Sequence, residues 1–193
     1  MNITPATRIV LRGALVGAVS GVVAAVVMFM PEALGLQPDA SVTIAGAELV
    51  FSPLTLGPGL TFGLILGGAL RGRGIVSWRY SAFVAATMFS YFAAVHLAID
   101  VLVNVLDNIV LVGMAAGAIG ATLLALPAAG LLPDLRRPAP LAAMIAAGTL
   151  LGATLYFPIA WENFFGWLFL YVPWQAGFTA AMASGFTGRG RRR

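Results

Sequence analysis

Long apolar runs alternate with short polar segments along the chain, and six of the runs are long enough to cross a membrane. A transmembrane helix needs about 20 apolar residues, because the hydrocarbon core is roughly 30 Å thick. Backbone groups in lipid must be hydrogen-bonded within the segment, so each run is predicted to be α-helical. The six predicted helices cover residues 9–30, 47–70, 80–103, 109–132, 139–157 and 164–186. The prolines Pro31, Pro133 and Pro158 are predicted to close the first, fourth and fifth.

The composition agrees with lipid as the solvent of this chain. Hydrophobic residues make up 60% of it and charged residues 9%, against about 25% charged residues in an ordinary soluble domain. We therefore predict an all-α integral membrane protein. It forms a six-transmembrane-helix bundle in a single domain over residues 1–187, followed by a basic cytoplasmic tail at 188–193.

All 11 basic residues are arginines, and their positions predict the orientation of the bundle. They precede helix one, lie between helices two and three and between helices four and five, and follow helix six. By the positive-inside rule this side is cytoplasmic, so both termini are predicted to be inside. The first apolar run is longer than that of a signal peptide, so we expect it to be an anchor. The predicted location is the cell membrane, specifically a bacterial inner membrane.

Helix one carries small residues at a spacing of four, namely Gly13, Gly17 and Gly21, with Ala14 and Ala18 beside them. Small residues let helix backbones approach closely, which matters in lipid because apolar surface gives helices no reason to associate there. Two interpretations remain open. The stripe packs within the bundle, or it forms a face for another membrane subunit.

Helix two contains residues that weaken a helix. Pro53, Gly57, Pro58 and Gly59 fall inside the predicted span, and proline removes a backbone donor. We expect the helix to be kinked or broken here. Broken helices in transporters use the freed backbone groups to bind substrate or ion, whereas a plain kink is repaired by neighbouring helices.

One polar cluster is predicted near the outer side. On helix three, His96, Asp100 and Asn104 are four residues apart and Asp107 follows after three, so they share one face if the helix continues past residue 103. The other predicted members of this cluster are Glu48, Trp161 and Glu162. Together they predict an outward-facing acidic site for a cation or small solute. The alternative is that these residues are only polar helix ends and interfacial aromatics.

Helix six contains a polar group at membrane depth. Gln175 follows Pro173 and Trp174 inside the apolar run. With Trp174 it could line a substrate or quinone pocket, or it could hydrogen-bond another helix.

Several kinds of chemistry are excluded by composition. The chain has no lysine for a Schiff base, no cysteine for thiol or iron–sulfur chemistry, and a single histidine. We find no hydrolase, metalloprotease or nucleotide-binding motif. We therefore expect a protein that is not an enzyme and has no cofactor and no metal site. The arginines are dispersed between apolar runs, so nucleic acid is not an expected partner.

In architecture the chain resembles the substrate-binding subunits of energy-coupling-factor vitamin transporters. Six helices, inward termini, the small residues Ala14 and Ala18, a long segment at 31–46 and the Gly57-Pro58 pair carry the resemblance. It implies an outward-facing ligand site and docking on a membrane partner through helix one. The predicted function is thus a transport or solute-binding component. The alternative is an accessory subunit of a larger membrane complex. Expected partners are membrane lipids, a small solute or cation, and other membrane subunits through helix one.

Overall fold

A computed structural model describes residues 3–33, 40–44, 47–71 and 77–187, and these residues are mostly helical. The basic tail predicted at 188–193 lies outside them. The long helices are α1 (Pro5–Ala33), α2 (Pro53–Leu70), α3 (Ser77–His96), α5 (Ile109–Leu131), α6 (Pro138–Gly152) and α8 (Phe164–Ser184). The shorter elements are β1 (Ala40–Ile44), β2 (Ala47–Phe51), α4 (Val103–Val105) and α7 (Tyr156–Trp161).

Three helical segments are long and apolar enough to cross a membrane. They are Pro5–Pro31, Ile109–Leu131 and Pro138–Trp161, the last of which joins α6 and α7 through a 3₁₀ turn. The helices α3 and α8 have 20 and 21 residues but are less apolar, since they carry tyrosine, threonine and glutamine. The all-α class is thus confirmed for the described residues, with one β-hairpin added.

The start of helix two was predicted wrongly. Residues 47–51 form strand β2, which pairs antiparallel with β1 in the register Ala40↔Phe51 to Ile44↔Ala47. The cause is local: the Ser52 side chain accepts from the Thr55 N–H (3.2 Å), and the Thr55 hydroxyl accepts from the Ser52 N–H (2.9 Å). This capping box starts the helix at Pro53, where the missing proline N–H costs nothing.

Helix two was predicted to be kinked or broken; α2 has no break at these residues, and the kink stays a prediction. Pro53 is the first residue of α2, and the helix runs on through Gly57, Pro58 and Gly59 to Leu70. Pro58 and both glycines are buried. Their surroundings are helix α1 on one side and α3 on the other, since a Cβ on Gly57 would meet Val27 and one on Gly59 would meet the Thr87 carbonyl.

Helix three also departs from its prediction. The regular helix ends at His96, and a π-helical segment follows at Leu97–Leu102 before the short α4. A π-helix closes i→i+5 hydrogen bonds, so a spacing of four no longer returns to one face. Asp107 lies beyond the end of α4, in the bend before α5. The four polar residues therefore do not follow the regular helical face that their spacing predicted.

Two of the three prolines expected to close helices lie inside helical runs. α1 continues through Pro31 to Ala33, and Pro158 lies within α7. Pro133 does follow the end of α5. Just beyond it, the Arg136 side chain donates to the carbonyls of Ala129 and Gly130, both at 3.3 Å. This arginine thus satisfies carbonyls that the helix end leaves open.

The first and last helices are packed through the glycine stripe of helix one. A Cβ on Gly17 would lie 2.2 Å from the Gln175 carbonyl oxygen, and one on Gly13 would lie 2.8 Å from that of Thr179. The Thr179 hydroxyl donates across this contact to the Gly13 carbonyl at 2.8 Å. Gly13, Gly17 and Gly21 thus pack within the chain, as the first of the two interpretations predicted. Ala14 and Ala18 beside them are half-buried.

Glycines also join the other neighbouring helices. A Cβ on Gly117 would lie 2.2 Å from the Gly148 carbonyl oxygen, and one on Gly152 would lie 2.2 Å from that of Gly113, so α5 and α6 lie in backbone contact. Gly63 faces Val84 and Thr87 in the same way, between α2 and α3. These contacts group the helices in pairs, and the space between the pairs is where the candidate site lies.

Candidate functional site: a cavity inside the helical bundle

A cavity of about 430 Å³ lies between the helices. Its size falls in the range of small-molecule sites, roughly 300–1,000 Å³. Residues from α2, α3, α5, α8 and the segment from α6 to α7 line most of its wall. Met28 of α1, Val50 of β2 and Val103 of α4 complete it. The cavity therefore exists only where the packed bundle brings almost every element together.

The lining is largely apolar, and none of the described lining residues is charged. Glycines from the closely packed helix pairs also line the cavity. Because glycine has no side chain, the backbone itself forms the wall at Gly59, Gly117 and Gly152. The polar groups are a few hydroxyls and one amide. The polar or amphipathic lining residues are Ser52, Thr55, Thr87, Ser90, Tyr91, Trp167, Tyr171, Trp174 and Gln175.

Most of the serine and threonine hydroxyl groups in the lining donate to backbone carbonyls. The hydroxyl of Thr87 donates to the Val84 carbonyl at 2.7 Å, and that of Ser90 donates to the Ala86 carbonyl at 2.6 Å. Such bonds to the preceding turn satisfy buried hydroxyl groups. These two hydroxyl groups line the cavity, but their hydrogens are not available for a bond to a ligand.

Tyr91 of α3 and Tyr171 of α8 meet in the cavity wall through their hydroxyl groups, which are hydrogen-bonded to each other. Their ring centroids lie 6.1 Å apart, and Trp167 stacks on Tyr171 at 6.0 Å with the planes 15° apart. A hydroxyl donates one hydrogen and accepts others. The mutual bond therefore uses one of the two hydrogens and leaves the other for a further acceptor.

Gln175 lies one helical turn after Tyr171 and is only 3% exposed. Its side-chain oxygen, Oε1, has no hydrogen-bond partner among the described residues. A buried carbonyl without a donor is costly, and native structures satisfy nearly all such groups. Gln175 lines the cavity; that this cavity takes a substrate stays a prediction.

Aromatic rings form the apolar wall beside this polar end. Trp174 stacks on Phe178 at 5.5 Å with the planes 8° apart, and Phe62 meets it edge-on at 6.2 Å. The indole N–H of Trp174 donates to the Gly148 carbonyl at 3.1 Å. Because that donor is occupied, Trp174 offers the cavity its ring rather than a hydrogen bond.

No family model, curated protein or solved structure matches this chain. The function must therefore be argued from the cavity itself.

Five residues of the predicted acidic site lie outside the wall of this cavity. They are His96, Asn104, Asp107, Trp161 and Glu162, and all except the half-buried His96 are exposed. The side chains of the remaining two, Glu48 and Asp100, are outside the described part of the chain. The acidic site therefore stays a prediction. Within the described ranges, no three acidic or histidine side chains lie close enough together to hold a metal ion.

His96 has a structural contact that accounts for its position. Its Nε2 lies 3.3 Å from the Val50 carbonyl oxygen, and its ring lies 4.3 Å from that of Phe92. Phe92 in turn stacks on Phe51 at 5.0 Å. The Val50 carbonyl also accepts from the Thr55 hydroxyl at 2.8 Å. His96 thus joins the end of α3 to the hairpin strand that covers part of the cavity.

The turn between α7 and α8 gives Glu162 a backbone role. Glu162 has a positive φ of 48°, and its N–H donates to the Pro158 carbonyl to close α7. The next residue, Asn163, accepts from the Gly166 N–H at 3.1 Å and caps α8. Trp161 packs its ring on Phe157 at 4.9 Å. These residues form a helix turn bordered by aromatic rings.

Proposed function

We propose that this protein is a membrane-embedded solute-binding component of a transport system, and that its solute is small, uncharged and mainly apolar. The observation that supports the proposal is the cavity of about 430 Å³ inside the helix bundle, lined by apolar and aromatic side chains with polar groups beside them. Sites for small molecules have this composition. The uncharged wall favours a neutral solute, because a charged one would need a partner in an apolar site.

The proposal includes six membrane spans with both termini in the cytoplasm of a bacterial cell. Three helical segments have the length and apolarity of spans. The helices α2, α3 and α8 are packed among them and would complete the six. The positions of the arginines support the inward termini.

The orientation can be tested cleanly because the chain has no native cysteine. Single variants Thr4→Cys, Asp107→Cys, Glu162→Cys and Thr187→Cys would be expressed in intact cells and treated with a membrane-impermeant maleimide. Six spans with inward termini predict labelling of positions 107 and 162 from outside, and labelling of positions 4 and 187 only after lysis. Labelling of position 4 or 187 in intact cells would overturn this topology.

Binding is tested with the full chain in lipid nanodiscs and the neutral aromatic probe phenanthrene. We expect saturable binding by equilibrium dialysis and a higher melting temperature with probe. The matched variant is Ala116→Phe, because Ala116 lines the cavity and is half-buried, so a larger ring would occupy the space. This variant should remain folded and lose saturable binding. Equal uptake by both proteins would mean that the probe only partitions into lipid, and would refute the proposed site.

A further inference from the structure

The last turn of α5 ends in three consecutive carbonyl groups that accept hydrogen bonds from arginine side chains. Arg136 donates through Nε to the Ala129 carbonyl and through a terminal nitrogen to that of Gly130, both at 3.3 Å. Arg79, at the start of α3, donates to the next carbonyl, that of Leu131, at 3.5 Å. Two guanidinium groups from distant parts of the chain are thus held at one helix end.

Capping of the helix explains where these guanidinium groups lie, but it leaves their charge without a counter-charge. A guanidinium has five N–H donors in a planar fork, of which these bonds use one in Arg79 and two in Arg136. Neither group forms an ion pair with a carboxylate among the described residues. The single acidic residue of the adjoining turn, Asp134, is outnumbered by these two arginines and Arg137. The remaining N–H donors therefore favour an anion from outside the chain.

The surroundings of the two arginines are those of a membrane interface. Trp78, which precedes Arg79, is 64% exposed, and the Arg79 guanidinium lies 5.4 Å from the centre of its ring. An exposed tryptophan at a helix end is typical of the level of the lipid headgroups. The arginine pattern predicts that this side is cytoplasmic, where the membrane surface is negatively charged.

An exposed strip of α5 leads away from the arginines along the helix. Gly130, whose carbonyl Arg136 binds, is exposed, and an added Cβ there would meet nothing within 4 Å. Leu126, one turn earlier, is 57% exposed. Beyond it lies a shallow groove of about 290 Å³, lined by Ala118, Ile119, Thr122 and Leu123. Positions 119, 123, 126 and 130 share one helix face, and at 1.5 Å per residue they extend over roughly 16 Å, enough to lie along a lipid acyl chain.

We propose that this surface binds an anionic phospholipid, with the phosphate group at Arg79 and Arg136 and one acyl chain along the strip from Gly130 to Ile119. Guanidinium groups bind phosphate oxygens through paired N–H bonds, and two forks already fixed on helix carbonyls lose little freedom when they do so. A lipid fits this surface better than free phosphate, because the strip beside the arginines is open and largely apolar. The inference rests on the membrane spans of the proposed function but not on its solute cavity.

The test compares phosphatidylglycerol with phosphatidylcholine of the same acyl chains, which differ in net charge. The full chain in detergent is titrated with each lipid, and native mass spectrometry gives the dissociation constant of the first bound lipid. We expect phosphatidylglycerol to bind about 30-fold more tightly, since each of two arginines contributes roughly fivefold. An excess of inorganic phosphate should leave this preference unchanged. Equal binding of the two lipids, or displacement by inorganic phosphate, would overturn the proposal.

A matched pair of variants assigns the preference to this surface and leaves both arginines in place. Gly130→Glu puts a carboxylate beside Arg136, and the open space around the glycine admits the new side chain. The preference for phosphatidylglycerol should fall to about fivefold, the contribution of one arginine. Gly130→Gln has the same size without the charge and should keep the 30-fold preference. Equal preferences in the two variants would refute the site.

A double variant tests the arginines themselves. Arg79→Gln with Arg136→Gln should abolish the preference, whereas Arg8→Gln with Arg12→Gln, which removes the same charge at two exposed positions of α1, should keep it. An equal loss in both would mean that only the overall charge attracts the lipid, and the site would be wrong.

Failure of this inference is distinguishable from failure of the proposed function. The lipid measurements are made in detergent and do not depend on orientation. Labelling of position 4 or 187 in intact cells would refute the proposed topology and leave the lipid site standing. Equal binding of the two lipids would refute the site and leave the topology and the solute cavity untouched.

Discussion

The contact of α8 with α1 is packed without a gap, whereas the same helix also lines a cavity of about 430 Å³. At the contact, Gly13 and Gly17 let the two backbones approach until an added Cβ would overlap a carbonyl oxygen. At the cavity, Tyr171 and Gln175 line the wall together with residues of α3 and α5. One helix thus holds the bundle together and lines its candidate site.

Two buried polar side chains of α8, one turn apart, differ in their bonding. The Thr179 hydroxyl oxygen lies in the tight contact, 2.8 Å from the Gly13 carbonyl oxygen and 2.7 Å from that of Gln175, so its single hydrogen has an acceptor. The Gln175 side-chain oxygen has no partner among the described residues. A satisfied polar group strengthens packing, whereas a buried unsatisfied one weakens it. Changing the two residues should therefore have different consequences.

The largest effect is expected at the tight contact. In Gly17→Leu, the new Cβ would lie 2.1 Å from the Thr179 hydroxyl oxygen and 2.2 Å from the Gln175 carbonyl oxygen. The two helices would have to separate along their length, at a cost of about 3 kcal/mol or more, since overpacking a close contact costs about 1–3 kcal/mol even where neighbours can adjust. The measurement is the folded yield by size-exclusion chromatography and the melting temperature in detergent.

The matched control for Gly17→Leu is Gly68→Ala in α2, where an added Cβ would meet nothing within 4 Å. Alanine in an open helical position should be neutral or stabilising by about 0.5–1 kcal/mol, because glycine costs more backbone entropy. If Gly17→Leu melted at the same temperature as this control, the tight contact between α1 and α8 would be refuted.

The helices were predictable from sequence because long apolar runs in lipid allow little other than helix. The predicted start of the fourth helix, Ile109, agrees with that of α5, and Phe164 agrees with that of α8. The failures have local causes that hydropathy does not register. The capping box of Ser52 and Thr55 moved the start of helix two, and a π-helical segment after His96 disrupted the face that spacing predicted.

The candidate site was much less predictable than the helices. The glycine spacing of α1 indicated a close contact, but it could not indicate that the partner would be α8, at the other end of the chain. The cavity depends on how far several helices remain apart, which is a property of the whole bundle. Gln175 and Trp174 gave a signal beforehand, as polar and amphipathic groups inside an apolar run, and so did Pro58 and Gly59, which line the cavity and stood out as helix-weakening residues. Tyr91 gave none, since tyrosine in such a run is also typical of a membrane interface.

The second effect in size concerns the unsatisfied amide. Gln175→Met removes the polar group and keeps an apolar chain of similar length, so the protein without ligand should become more stable, by about 1–3 kcal/mol if the oxygen is unpaired. The measurement is the melting temperature in detergent without added probe. A decrease in melting temperature would mean that the amide has a stabilising partner, and the unpaired state of its oxygen would be disproved.

The smallest effect is expected for Thr179→Val on the tight face, and it should have the opposite sign. The variant removes the hydroxyl that joins α8 to the Gly13 carbonyl and keeps the branched shape, so stability should fall by about 1 kcal/mol, near the value of interhelical hydrogen bonds in membranes. Thr179→Ser keeps the hydroxyl and is the control for the lost bond. Because Gln175 and Thr179 are adjacent turns of one helix, opposite shifts in melting temperature from the two substitutions would tie each sign to what its side chain contacts. Two decreases would instead indicate that both side chains stabilise the packed bundle.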